Sequence, residues 1–187
     1  MKIFWKVCRE SIKVLLIGSI LSSIGGFTLK SIEEKLIIFL PFVIVLPSLN
    51  DLIGDFGIII TSRFTSFLYE KEKRMKTKLK RGTFIKTLFK DTSLIVLFSI
   101  FYLTFLTLII SYIKKFPLDI TFILKFLLCI SITVIVLFLL TFMVAIVGGY
   151  YEFKKGRDPD LILIPITTSI ADLGAMIVFA GLIYLVF

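Results

Sequence analysis

The chain has 187 residues, 58% of them apolar, and a mean hydropathy of +1.03; roughly 45–50% apolar is usual for a soluble domain, so a water-soluble fold of this length is excluded. The net charge is +9, with no histidine and with two cysteines, Cys8 and Cys129, far apart in sequence; neither a disulfide framework nor a zinc or haem site is indicated. What remains is a single all-α integral membrane domain over residues 1–187, because apolar runs broken by short charged segments occupy the whole length.

Five runs reach the roughly 20 apolar residues that a membrane helix needs. They cover about 12–29, 36–66, 92–113, 118–149 and 161–187. The basic stretch 1–13 enters the first run with no small-residue cleavage site, so the first span is expected to stay in the mature protein. The second and fourth runs are long: at 1.5 Å per residue they would reach roughly 45–50 Å against a hydrocarbon core of about 30 Å, and must tilt, break or project. Pro41, Pro47, Gly54 and Gly57 predict a kinked or interrupted second helix. The run at 70–81, EKEKRMKTKLKR, has the composition of a nucleic-acid patch. Lying between two spans, it reads instead as a topogenic loop facing lipid headgroups, and no nucleic-acid partner is expected. After it, Phe84, Ile85, Leu88 and Phe89 fall at helical spacing with Lys86 and Lys90 opposite, which predicts a short interfacial helix over 83–91.

Basic residues divide unequally between the two sides. Segments 1–13, 63–90 and 151–157 hold four, ten and three Lys or Arg, whereas 30–35 and 114–125 hold two and three. The positive-inside rule then places the N-terminus in the cytoplasm and the C-terminus outside, in a multi-pass protein of the plasma membrane.

Ten of the 13 acidic residues lie in loops or at span ends; Asp51 and Asp55 in the second span and Asp172 in the fifth do not. Each costs about 2.5 to 3.5 kcal/mol at a helix centre. No Lys or Arg lies deep in any span to offset them, the nearest being Arg63, eight residues beyond Asp55. The missing partner is most simply a cation. Asp51 and Asp55 are four apart and share a helix face, with Asn50 and Ser48 beside them; in the fifth span Thr168 and Asp172 repeat that spacing, with Thr167 and Ser169 also preceding Asp172. These are hard oxygen donors, which favour Mg²⁺, Ca²⁺ or Mn²⁺, and a reluctantly dehydrated Mg²⁺ needs only one or two carboxylates besides its waters. The competing reading is a set of protonated carboxyls serving as structural hydrogen-bond donors.

The stretch 158–174, DPDLILIPITTSIADLG, resembles the last-helix signature of the MgtE-type magnesium transporters and their solute carrier family 41 relatives. It has the Asp158-Pro159 pair, Pro165 six residues later, then Thr167-Thr168 and the T-x-x-x-D that ends at Asp172, with Gly174 following. Gly54-Asp55-Phe56-Gly57 is similar to the G-N-x-G of that family's second helix, and Thr61-Ser62-Arg63 resembles the S-R that follows it in the solute carrier branch. The resemblance implies a divalent cation transporter or channel moving Mg²⁺, with Mn²⁺ and other hard divalent ions as alternatives. Asp172 matches the ion-coordinating aspartate and Thr168 the hydroxyl one turn before it. Asp55 stands where bacterial members have Asn, which adds a charge. Asp51 and Asn50 complete the candidate metal set on the second helix. Solute carrier relatives hold two such units in one chain, so a single unit implies a homodimer with the second and fifth helices around the ion path. The soluble regulatory domains of bacterial members are not expected, since the first span starts close to residue 1.

Two alternatives stand beside this expectation. One is a Na⁺- or H⁺-coupled exchanger of the same fold. The other, from a different class, is a membrane phosphotransferase using Mg²⁺ on Asp51 and Asp55, against which the chain lacks that enzyme type's further aspartate pair at short spacing downstream of them and any His or Lys base near the site. Ser22-Ser23-Ile24-Gly25-Gly26 and Gly148-Gly149 are read as helix-packing surfaces, and Tyr150 and Tyr151 as part of an interfacial aromatic belt.

Overall fold

The computed structural model describes residues 2–38, 40–72, 80–116 and 119–187. Within them the chain forms α1 (Lys2–Lys30), α2 (Glu33–Ile38), α3 (Leu40–Glu72), α4 (Arg81–Ile113), α5 (Ile120–Lys154) and α6 (Pro159–Val186), with no strand among the described residues. All but the short α2 contain a segment long and apolar enough to cross a membrane: Ser11–Lys30, Pro41–Lys71, Arg81–Ile113, Ile120–Lys154 and Pro159–Val186.

The helix ends follow from local chemistry. After α5, Gly156 takes φ +68° and Arg157 N donates to Glu152 O at 3.1 Å, so the last carbonyls are satisfied as the chain reverses. The next helix starts at once. Asp158 is its N-cap, accepting from Asp160 N at 3.1 Å, and Pro159 occupies the first turn, where no N–H is needed. At the base of this corner Arg157 Nη2 lies 2.6 Å from the buried carboxylate of Glu152. That ion pair accounts for an acidic residue at the end of an apolar helix.

Helix α6 is central, packing against α1, α3 and α5, while α4 lies against α3 and α5 and α1 lies chiefly against α6. Spacings of three and four on α3 (Phe42, Val45, Leu49, Ile53, Phe56, Ile60, Phe64, Phe67) put one continuous stripe into the core. At one end Phe42 meets Phe122, Phe126, Phe179 and Phe187, with ring centroids 5.1 to 5.8 Å apart. The opposite sides of α4 and α5 are apolar and exposed, Phe98, Phe101 and Phe105 by 64 to 72%, as helices surrounded by lipid require.

Two expectations change. Residues 83–91 are not a separate interfacial helix but the first turns of α4, which runs unbroken to Ile113 because no Gly or Pro lies between Gly82 and Ile113. The apolar stripe there faces protein: Phe84 stacks on Phe67 at 4.1 Å, Leu88 is buried, and Phe89 meets Phe138 and Phe142. Of the two forms expected for the second span, kinked or interrupted, the stretch 40–72 is continuous helix, and Pro47 inside it withholds one N–H from the carbonyl of Val43. Tyr150 is more than a belt residue, since the Arg81 Cζ lies 3.8 Å and the Lys154 Nζ 4.6 Å from its ring centre. Of the small residues, Gly25, Gly148 and Gly149 do pack closely, against Met176, Leu163 and Phe64, whereas Gly26 has open space. Most of the basic loop at 70–81 lies outside the described residues.

Candidate metal centre

On α6 the polar residues follow a proline. Pro165 has no N–H, which leaves the carbonyl of Leu161 without its helical donor. Beyond it three successive hydroxyls bond back to their own helix. Thr167 Oγ1 donates to Leu163 O at 2.8 Å, Thr168 Oγ1 to Ile164 O and Pro165 O at 3.0 Å, and Ser169 Oγ to Pro165 O at 2.7 Å. Such back-bonding is how a hydroxyl is kept inside an apolar helix. Its consequence is that each hydrogen is committed while the oxygen lone pairs remain available to an acceptor-seeking group such as a cation. Asp172 follows Thr168 by one turn and is half-buried, its Oδ2 accepting from Ser22 Oγ of α1 at 3.1 Å.

On α3, two glycines set the crossing with α6. A Cβ on Gly57 would stand 2.7 Å from Thr167 Cβ, and one on Gly54 would stand 3.6 Å from Thr168 Cγ2. Asn50 shares the face of Gly54 and Gly57, being four and seven residues away. It is half-buried, and its Oδ1 is buried with no hydrogen-bond partner among the described residues. Asp55 lies between the two glycines in sequence and is exposed, as is Asp51 one turn earlier.

The structure thus brings Gly54, the neighbour of Asp55, beside Thr168, and brings Asp172 to Ser22. It does not gather the acids: among the described residues no group of three or more His, Cys, Asp or Glu stands close enough to hold a metal within one copy. Arg63 does not serve the membrane carboxylates. Its Nη1 lies 3.9 Å from Asp91 Oδ2, both side chains being about half exposed, at 55% and 51%. Beside the hydroxyls, a groove of about 550 Å³ runs between α1 and α6, lined by Gly18, Ser19, Ser22, Pro165, Thr168 and Ser169 among others. Ser22, expected only to pack, is thus a partner of Asp172. The spacing of Gly18, Ser22 and Gly25 on one face of α1 was the available signal, but the carboxylate it meets lies 150 residues away.

Comparison with known families matches residues 46–182 to MgtE, a divalent cation transporter. The match takes in α3 from Leu46 onward, α4, α5 and nearly all of α6; α1 and α2 precede it. No curated protein and no solved structure matches the chain. The family consists of transporters and channels rather than enzymes, which sets the phosphotransferase aside. Five membrane-length helices, with the matched region covering most of the chain, lead to one conclusion: this chain belongs to the MgtE family of divalent cation transporters.

Proposed function

We propose that the chain acts as a homodimer that moves Mg²⁺ across the plasma membrane, along a path lined by Asp172, Thr168, Asp55, Asp51 and Asn50 from two copies of α3 and α6. One observation carries this reading. Asp51 and Asp55 are exposed on a helix of membrane-spanning length, and among the described residues neither forms an ion pair with a basic side chain. Carboxylates in such a position face lipid at a cost of several kcal/mol unless a second copy and a cation cover them. A two-fold axis beside α3 would bring two copies of each acid to one path, which suits an ion that takes few carboxylates and keeps several waters. The orphaned Asn50 Oδ1 and the lone pairs of Thr168 supply neutral oxygens for those waters. The unequal distribution of Lys and Arg supports a cytoplasmic N-terminus.

Mg²⁺ flux into liposomes holding the purified protein, followed with an enclosed Mg²⁺-sensitive dye, tests the reading. Expected is flux that saturates with Mg²⁺ and is lost in Asp172→Ala. Absence of flux from the correctly folded wild type, in both directions of the gradient, would contradict it. Repeating the assay with and without a Na⁺ or H⁺ gradient separates a channel from a coupled exchanger.

A further inference from the structure

Many of the described hydroxyls inside these helices bond to their own backbone, while Thr61, Thr65 and Ser111 have no hydrogen-bond partner among the described residues. Ser23 donates to Ser19 O at 2.8 Å, Thr107 to Leu103 O at 2.7 Å, and Thr133 and Thr141 to the carbonyls four residues before them at 2.8 Å. That arrangement is local and needs no neighbour. Ser22 departs from it. Its Oγ donates 3.1 Å across to Asp172 Oδ2 on α6, in a half-buried position. A serine hydroxyl has one hydrogen, so α1 gives up the local bond at this residue in order to reach the carboxylate.

The helix approach is arranged for it. A Cβ on Gly18, one turn before Ser22, would overlap Ser169 Oγ; one on Gly25, one turn after, would stand 2.6 Å from Met176 Sδ and 3.4 Å from Leu173 Cα. The two glycines bring the backbone of α1 down onto α6 on either side of Ser22, and the hydroxyl between them meets Asp172. Helix α1 lies before the matched residues 46–182, so the family match assigns it no part.

We infer that Ser22 is a positioning residue for the ion path: its hydrogen bond fixes the Asp172 carboxylate and leaves Oδ1 free to meet the cation. The inference rests on the reading of Asp172 as an ion ligand. A hydrogen bond to the carboxylate holds it in one orientation and removes rotamer freedom that ion binding would otherwise have to remove. Ser22 Oγ keeps its own lone pairs and lines the groove beside Thr168, where a hydrated ion's waters would find acceptors. The role is affinity for the ion and not the rate of passage, so its signature is a change in half-saturation.

The test is Mg²⁺ flux in proteoliposomes at a series of Mg²⁺ concentrations for wild type, Ser22→Ala, Ser22→Thr and Asp172→Ala, with the size-exclusion profile as the check on folding. Expected for Ser22→Ala is a half-saturating concentration raised about ten-fold with maximal flux kept, as loss of one charge-assisted hydrogen bond implies. Ser22→Thr, which keeps the hydroxyl, should restore most of the affinity. Should Ser22→Ala not fold, Ser22→Cys, of similar volume and with only a weak donor, takes its place with the same expectation. Wild-type half-saturation in Ser22→Ala, an equal loss in the Ala and Thr variants, or a fall in maximal flux alone would overturn the inference. Wild-type flux in Asp172→Ala would instead remove the ion-path reading itself, so the two failures are distinguishable.

Discussion

Gly57 of α3 lies so close to Thr167 of α6 that a Cβ added to the glycine would stand 2.7 Å from Thr167 Cβ and 2.8 Å from its Oγ1. Thr167 is fully buried and tied to Leu163 O and Ile164 O, so it has no free rotamer into which to retreat. Gly57→Ala should therefore force α3 and α6 apart, at about 1–3 kcal/mol for overpacking. Because Asp55 and Thr168 ride on those two helices, flux should fall as well. Gly26→Ala, where a Cβ meets nothing within 4 Å, is the control. Thermal melting of the detergent-solubilised variants should show a lower midpoint for Gly57→Ala only; equal midpoints would refute the close crossing.

Asp55 differs from the other acids because it stands at the Asn position of the G-N-x-G motif that Gly54–Gly57 resembles. Protons and divalent ions compete for the same carboxylate oxygens, so apparent Mg²⁺ affinity should weaken as the medium is acidified. Asp55→Asn removes one pair of competing carboxylates from a dimer. The variant is expected to stay active and to show a flatter dependence of half-saturation on pH. Identical pH profiles for variant and wild type, or complete loss of flux, would take Asp55 out of the role proposed for it.

A homodimer whose path runs beside α3 must place the two copies of Asp51 near each other. With Cys8 and Cys129 replaced by Ser, Asp51→Cys gives each chain one thiol on the exposed face of α3. Oxidation in native membranes should yield a disulfide-linked dimer. Only monomer under those conditions, with the thiol still reactive to a small reagent, would contradict this geometry.

How much of this was legible in sequence varies from residue to residue. The five spans could be read because a bilayer needs about 20 apolar residues per helix and the chain offers five such runs. The start of α6 was equally plain, since an Asp-Pro pair is both a cap and a first turn. The beginning of α4 is not legible in this way. Its amphipathic pattern at Phe84, Ile85, Leu88 and Phe89 is the same whether the apolar face meets lipid headgroups or the aromatic rings of α3 and α5, and only packing decides. Pro47 allows either a kink or an interruption, and the helix continues through it, because one missing hydrogen bond does not end a helix held on both sides by buried contacts. Asp51, Asp55 and Asp172 stood out as charges where charge is costly. Ser22 did not: a serine in an apolar helix is ordinary, and its partner is fixed by the fold and not by spacing.

The central claim is that Asp172 carries the ion. Its most direct measurement is Mg²⁺ flux in proteoliposomes for Asp172→Ala and Asp172→Asn beside wild type, each shown by size exclusion to be folded. The account expects flux to be abolished in both variants, because the side chain supplies a negative oxygen that neither replacement offers. Flux at the wild-type rate in Asp172→Ala would contradict it.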